Sequence, residues 1–260
     1  MKRLRIEKFL GVGLFLIVWE ITARSKLLFF LGIVKMEALA FPPTLSSVAE
    51  AFYLDILNNT MTLSIGYSIL HLLIGLIFAV LLGIPLGVLT GWSKRAEYII
   101  DPVIQILRPI PPLAWIPIAI MMLGLTHQAA GFIIFIGAFF PVLVNTYSGV
   151  KGTDIRLIEM ARTLGASNMQ ILTNVVLPYS TPMMTAGIRI SLGVGWMCVV
   201  AAEMFGVSKY GLGWMIPYYS NTFMYNFVFA YMLVLGITGY AMDIIFKRFE
   251  SWKLRWRETI

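Results

Sequence analysis

The chain has 260 residues, 59% of them hydrophobic and only 13% charged, with a mean hydropathy of +0.83. Soluble domains carry about 25% charged residues, so roughly half the usual polar surface is missing and a soluble helical fold is disfavoured. The basic excess, 20 Lys and Arg against 13 Asp and Glu for a net charge of +7, collects in short loops and at the chain ends, a pattern of membrane orientation and not of nucleic-acid binding.

Several continuous apolar runs reach or approach the ~20 residues that cross a bilayer as a helix. Their continuity, without strict alternation, favours helices over a barrel. The first element, Phe9–Ala23, follows the basic stretch Met1–Lys8. It mimics a signal peptide, but more spans follow and no compact cleavage site is evident. It reads as a retained helix that can extend through Leu27–Val34. Next come spans at Met61–Leu89, Ile99–Leu125, Ala130–Val150, Ser180–Phe205 and Asn226–Phe246, giving one all-α polytopic domain over residues 1–260.

The third span holds Pro109, Pro111, Pro112 and Pro117. Prolines remove backbone donors and kink or break a helix, and a broken element survives in a membrane only where protein or a water-filled cavity shields it. That span is expected in the interior.

Six spans place both termini on one side. Lys2, Arg3, Arg5, Lys8, Lys94, Arg95, Lys151, Arg156, Arg162, Lys247, Arg248, Lys253, Arg255 and Arg257 fall on that side, against Arg24, Lys26, Lys35 and Lys209 opposite. The asymmetry predicts cytoplasmic termini. Two outer connections are long. Pro42–Asn59 predicts an amphipathic helix capped by Thr44, with Leu45, Val48, Ala49, Phe52 and Ile56 on its apolar face. Gly206–Tyr225 carries Trp214, Tyr218, Tyr219, Phe223 and Tyr225, read first as interface anchors and alternatively as an outer gate.

The longest polar cytoplasmic stretch is Lys151–Asn174. Thr153 or Asp154 can cap a helix from Ile155 to about Leu164. Gly165 supplies the positive-φ stop, Ser167 can cap a second short helix to Asn174, and Pro178 marks entry to the next span. A helix–glycine–helix knob outside the membrane suits insertion into a groove of a soluble partner.

Here the sequence resembles a known family. Glu159-Met160-Ala161, then Gly165, then Val175-Val176-Leu177-Pro178 match the EAA motif of ABC importer permeases, with Met160 replacing the usual middle alanine. Asp101-Pro102, Leu107–Pro117, Thr163–Ser167, Gly187–Ile190 and Ala201–Met204 look like the nitrate, sulfonate, taurine and bicarbonate branch. The resemblance implies a type I importer permease fold with about six transmembrane helices in the inner membrane. It also implies a second permease chain, by default an identical one, two cytoplasmic ABC ATPase subunits and an external solute-binding protein. By that analogy Glu159, Met160, Ala161, Gly165, Ala166, Leu177 and Pro178 form the ATPase-coupling segment, within about residues 153–178.

No G-x-x-x-x-G-K-[ST] phosphate loop occurs, so the chain is not expected to be an enzyme and ATP hydrolysis belongs to a separate subunit. No cofactor is expected. His71 and His127 lie far apart on different elements and in no ligand-spaced pair, which argues against a catalytic metal. Ionisable groups at membrane depth are functional candidates. Arg189 and Glu203 are separated by fourteen residues on nearly one helix face, and together with Arg108, Trp115 and Trp196 they form the candidate translocation pathway. Arg189 suits a small oxyanion, and equally a structural tie. Gly193 and Gly195 read as close-packing positions. A secondary transporter would need an internal repeat and ion-coupling sites; a non-transporting scaffold would have no use for the knob.

Overall fold

A computed structural model describes residues 2–25, 42–207 and 209–253, and it is helical with no strand among them. The helices are α1 (Lys2–Ser25), α2 (Leu45–Leu57), α3 (Thr60–Trp92), α4 (Lys94–Leu107), α5 (Ile116–Leu123), α6 (His127–Lys151), α7 (Ile155–Thr163), α8 (Asn168–Ile171), α9 (Leu177–Met204), α10 (Leu212–Asn221) and α11 (Tyr225–Lys253). The candidate extension Leu27–Val34 and the charges Lys26, Lys35, Arg255 and Arg257 lie outside the described residues.

The centre is a three-helix core of α3, α6 and α9. Apolar side chains gain little from one another that lipid does not already offer, so helices in a bilayer associate through close backbone approach at small residues. A Cβ on Gly75 would stand 2.5 Å from Ile134, one on Gly83 2.9 Å from Val142 and one on Gly91 2.7 Å from Val150. These pairs keep one constant offset, so α3 and α6 run parallel. The intervening residues 93–126 must therefore return across the full thickness of the bundle. On the other flank α9 is antiparallel: Gly149 meets Ser180 and Met183, Gly187 meets Asn145, and Ser191 Oγ donates to the Ala138 carbonyl at 2.6 Å.

The returning segment is the broken third span. α4 and the Pro112–Leu123 stretch meet at 88°. Proline at 109, 111 and 112 leaves no continuous ladder, so Pro112–Trp115 forms only a 3-10 turn before α5. Within one chain the expected interior position is not met. No α4 residue is buried, and only Ile116 and Ala119 of α5 are; Ile99, Ile106 and Met121 are exposed. Shielding for this element has to come from outside the chain.

Among the described residues four helices are long and apolar enough to cross a membrane, and the bent pair, counted as one span, makes a fifth. The remaining expected span, Phe9–Ala23, lies inside α1. There Glu20 and Arg24 pair at 2.6 Å, Trp19 Nε1 donates to the Pro43 carbonyl, and Glu20 accepts from the Leu45 amide. The C-terminal turns of α1 thus lie at the end that holds α2. α11 ends toward the knob, where Glu250 approaches Thr185 and Arg189.

Two expectations are corrected. The second knob helix does not stop at Asn174. α8 is one turn, and a π-helical stretch, Leu172–Val176, joins it without interruption to α9. The wider π turn accommodates Pro178, which has no N–H to offer in the first turn of α9. In α2 the buried stripe is Val48, Ala51 and Asp55, while Phe52 and Ile56 are exposed. The shift follows from Asp55, whose carboxylate accepts from Tyr219 (2.9 Å) and Tyr231 (2.8 Å); hydrophobic periodicity cannot register a polar anchor on the inner face. Thr44 caps α2 as expected.

Replacing Gly75 by valine drives Cβ into Ile134 and the Gly131 carbonyl, which stand 2.5 and 2.7 Å away. The α3–α6 seam should lose about 1–3 kcal/mol, read as a lower unfolding midpoint of the purified chain in detergent; Gly66→Val, which meets nothing within 4 Å, should leave it unchanged.

Candidate functional site

The knob is built by local rules. Asp154 accepts from the Arg156 amide at 2.9 Å and starts α7. Gly165, at φ +83, ends it in a Schellman turn, with Ala166 N–H on the Ala161 carbonyl at 3.0 Å and Gly165 N–H on the Arg162 carbonyl at 2.9 Å. Ser167 and Gln170 then form a reciprocal capping box that opens α8.

One face of this unit holds it to the bundle. Ile158, Ala161, Ala166 and Leu177 pack on a cluster centred on Val150, Ile171, Val176 and Met184. The opposite face is open: Met160 is 60%, Leu164 83% and Met169 69% exposed, beside exposed Arg156, Glu159 and Arg162. These apolar side chains form an exposed patch on a rigid, capped turn. Pro178 lines a cavity of about 720 Å³ between the end of α6, the knob and α9.

At the same end, Glu97 accepts from Tyr147 Oη at 2.6 Å and from Lys151, which ties the start of α4 to the last turn of α6. Beside it lies a cavity of about 610 Å³ lined by Thr90, Gln105, Arg108, Tyr147 and Ser148, among others. Arg108 is exposed on this cavity and has no ion-pair partner among the described residues. Trp115 sits in the 3-10 turn with its Nε1 buried and unpartnered.

The other pathway candidates are engaged. Arg189 Nε donates to Asp243 at 3.0 Å and its Nη1 lies 3.8 Å from Glu250, which joins α9 to α11. Trp196 Nε1 donates to the Leu235 carbonyl at 3.1 Å across the same seam. Gly195 packs against Leu72, whereas Gly193 faces open space.

Glu203 is 0% exposed at the far end. Its carboxylate accepts from Ser68 Oγ (2.9 Å to each oxygen) and from the Gly213 amide (2.8 Å), and it lies 2.8 Å from His71 Nδ1. Ser68 in turn accepts from the Leu212 amide at 2.9 Å. Gly211, at φ +124, lets the backbone press onto this carboxylate: a Cβ there would fall on the Glu203 side chain. His71 Nε2 lies 2.7 Å from His127 Nδ1. The two histidines, separate in sequence, are therefore one cluster with Glu203. Sequence spacing could not find it, because its members come from three helices; the only local signal was a charged residue on an otherwise apolar span. No three metal-capable side chains among the described residues converge on a common point, as His71 spends one nitrogen on each neighbour.

α10 is therefore pinned twice: at its first residues by Glu203 and Ser68, and midway by Tyr219 on Asp55, with Tyr219 also stacked on Phe227 at 4.5 Å.

Residues 83–255 match the family described as binding-protein-dependent transport system inner membrane component. A putative ABC transporter permease of Methanocaldococcus jannaschii is 44% identical over 79% of this chain and 75% of its own length. A putative aliphatic sulfonates transport permease of Bacillus subtilis is 35% identical over 88% and 82%. The inward-facing MetNI methionine ABC transporter shares the fold, with a TM-score of 0.61 and 24% identity over 71% of this chain and 91% of that one.

Asp55→Ala should orphan the Tyr219 and Tyr231 hydroxyls at a cost on the order of 2–4 kcal/mol, measured as a lower unfolding midpoint and faster proteolysis within residues 212–221. Asp55→Asn, which keeps an acceptor, should recover most of it.

Proposed function

The chain belongs to the binding-protein-dependent transport system inner membrane component family and is a permease of an ABC importer, and from that premise we propose how its parts work. Two copies form the pathway. Two cytoplasmic ABC ATPases dock on their knobs, and an external binding protein delivers a small solute, in our reading an oxyanion. Both termini and the knob face the cytoplasm, which fits the concentration of Lys94, Arg95, Lys151, Arg156, Arg162, Lys247 and Arg248 at that end.

The observation that carries this reading is the two-faced knob. Glu159, Met160 and Leu164 present a mixed polar and apolar surface to an ATPase groove, while Ala161, Ala166 and Leu177 transmit its movement to the cluster under α3, α6 and α9. Because α8 passes through the π turn directly into α9, a displacement of the knob is a displacement of a core helix. ATP binding draws the two knobs together and opens the pathway toward the binding protein; hydrolysis restores the cytoplasm-facing state. The exposed α4 and α5 surfaces supply the seam to the second copy, which provides the shielding that a broken helix requires.

For the solute, Arg108 is the better pathway cation, since the Arg189 guanidinium is occupied by Asp243 and Glu250. Arg108 lines the cavity beside Ser148 and Thr90 while the Tyr147 hydroxyl and the Gln105 amide are held by Glu97 and Asp101, so its guanidinium is the group left to meet an oxyanion. The sulfonates in the description of the B. subtilis relative are oxyanions, tetrahedral at sulfur, whose oxygens accept from the same N–H groups.

Gly165→Val forces a β-branched residue to positive φ at a cost of about 1–3 kcal/mol. The reconstituted importer should lose tenfold or more in solute transport while the chain still inserts and still co-purifies with its ATPase. Full transport with normal ATPase association would overturn the coupling role. Arg108→Gln should raise the transport KM for an anionic solute about 10–100-fold, the worth of a charge-assisted hydrogen bond, whereas Arg189→Gln should lower stability with KM kept.

A further inference from the structure

Glu203 accepts from the Ser68 hydroxyl and the Gly213 amide, and its remaining side-chain neighbour among the described residues is His71 Nδ1 at 2.8 Å. Two fixed donors suit an ionised carboxylate, which only accepts. Beside that ionised form His71 carries its proton on Nδ1. Its Nε2 faces His127 Nδ1 at 2.7 Å, so a single proton occupies the line between the two rings, held on His127 Nδ1 while His127 Nε2 is unprotonated. The outer nitrogen, His127 Nε2, has no hydrogen-bond partner among the described residues and is not sealed in. Tyr67 lies flat on the His127 ring (5.6 Å, 4°), and Tyr210 stacks on Tyr67 at 4.7 Å. These π faces favour a cation at that position.

We propose that His127, His71 and Glu203 are a proton-binding relay that seats α10 on the core. A proton added at His127 Nε2 forms an N–H bond there. The shared proton leaves Nδ1 of the same ring for His71 Nε2, and the positive charge comes to rest beside the buried Glu203 carboxylate. Proton number and charge balance, and no redox partner is needed. A lone buried anion is costly and a paired one far less so. Proton uptake therefore strengthens the Glu203 carboxylate's hold on Gly213 and, through Ser68, on Leu212, the two residues that begin α10.

Around the cluster, α3 presents Tyr67, Ser68 and His71, α6 presents His127, α9 presents Glu203, and the segment before α10 presents Tyr210. Lys209 on that segment makes no ion pair with the cluster among the described residues. A second added proton would set two N–H groups against each other between the rings, so the relay takes one.

The experiment is amide hydrogen exchange of residues 209–221 in the full-length chain in lipid nanodiscs, from pH 5 to 8, corrected for intrinsic exchange. Protection of the Leu212 and Gly213 amides should rise as pH falls across this interval, with a slope of at most ~tenfold per pH unit, the limit for one proton. His127→Gln, which leaves the Glu203 contacts intact, should flatten the profile. A flat wild-type profile overturns the relay. So does a uniform loss of protection in His127→Gln with the wild-type slope retained, which identifies a purely structural cluster. Because neither ATPase nor solute is present, the outcome is independent of the permease reading.

Discussion

The parallel contact of α3 and α6 governs the rest of the molecule. Two neighbouring parallel helices cannot be joined by a short turn, so residues 93–126 have to traverse the bundle again. Gly75, Gly83 and Gly91 permit the close approach, and Ile134, Val142 and Val150 fill the space they leave. With that seam in place, α9 closes the other side of α6 in antiparallel fashion, and the returning segment is left at the edge of the core, where Pro112 packs on Gly137 and Ile116 and Ala119 are buried while its other face is open.

The two ends of the bundle are stabilised differently. At the end with α2 and α10, buried carboxylates organise the chain: Asp55 gathers two tyrosines and Glu203 gathers a serine, a histidine and a backbone amide. Four hydrogen bonds, from Ser68, Leu212, Gly213 and Tyr219, converge on these carboxylates or on Ser68 and fix α10 against the core. At the knob end the ion pairs, Glu97–Lys151 and Arg189–Asp243, are partly exposed, and such pairs contribute modestly. A segment that has to follow a moving partner is better held by an apolar cluster and a continuous helix than by buried charge, and α7 to α9 have that construction.

Much of this was legible in the sequence because it depends on local rules. Apolar run length sets the spans, Asp154, Gly165 and Ser167 set the knob, and the resemblance around Glu159 and Pro178 named the family. The proline cluster announced a break, though not its 88° angle. The misreadings share one cause. The inner face of α2 was assigned by hydrophobicity and is occupied by Asp55. For Arg189 and Glu203 the sequence leaves two readings open, one shared route or ties to other helices, and the structure shows each tied to a different helix. His71 and His127 were set aside as unrelated and lie in direct contact.

The sequence by itself determined the solvent, the helices and the helix–glycine–helix knob, because membrane partition, capping and a positive-φ glycine act within one or two turns of chain. Only the tertiary structure decided which polar residues meet. Whether a buried charge is a pathway group, a tie or a proton site depends on side chains more than fifty residues away, and those are brought together by backbone packing that leaves no periodic mark around any one of them.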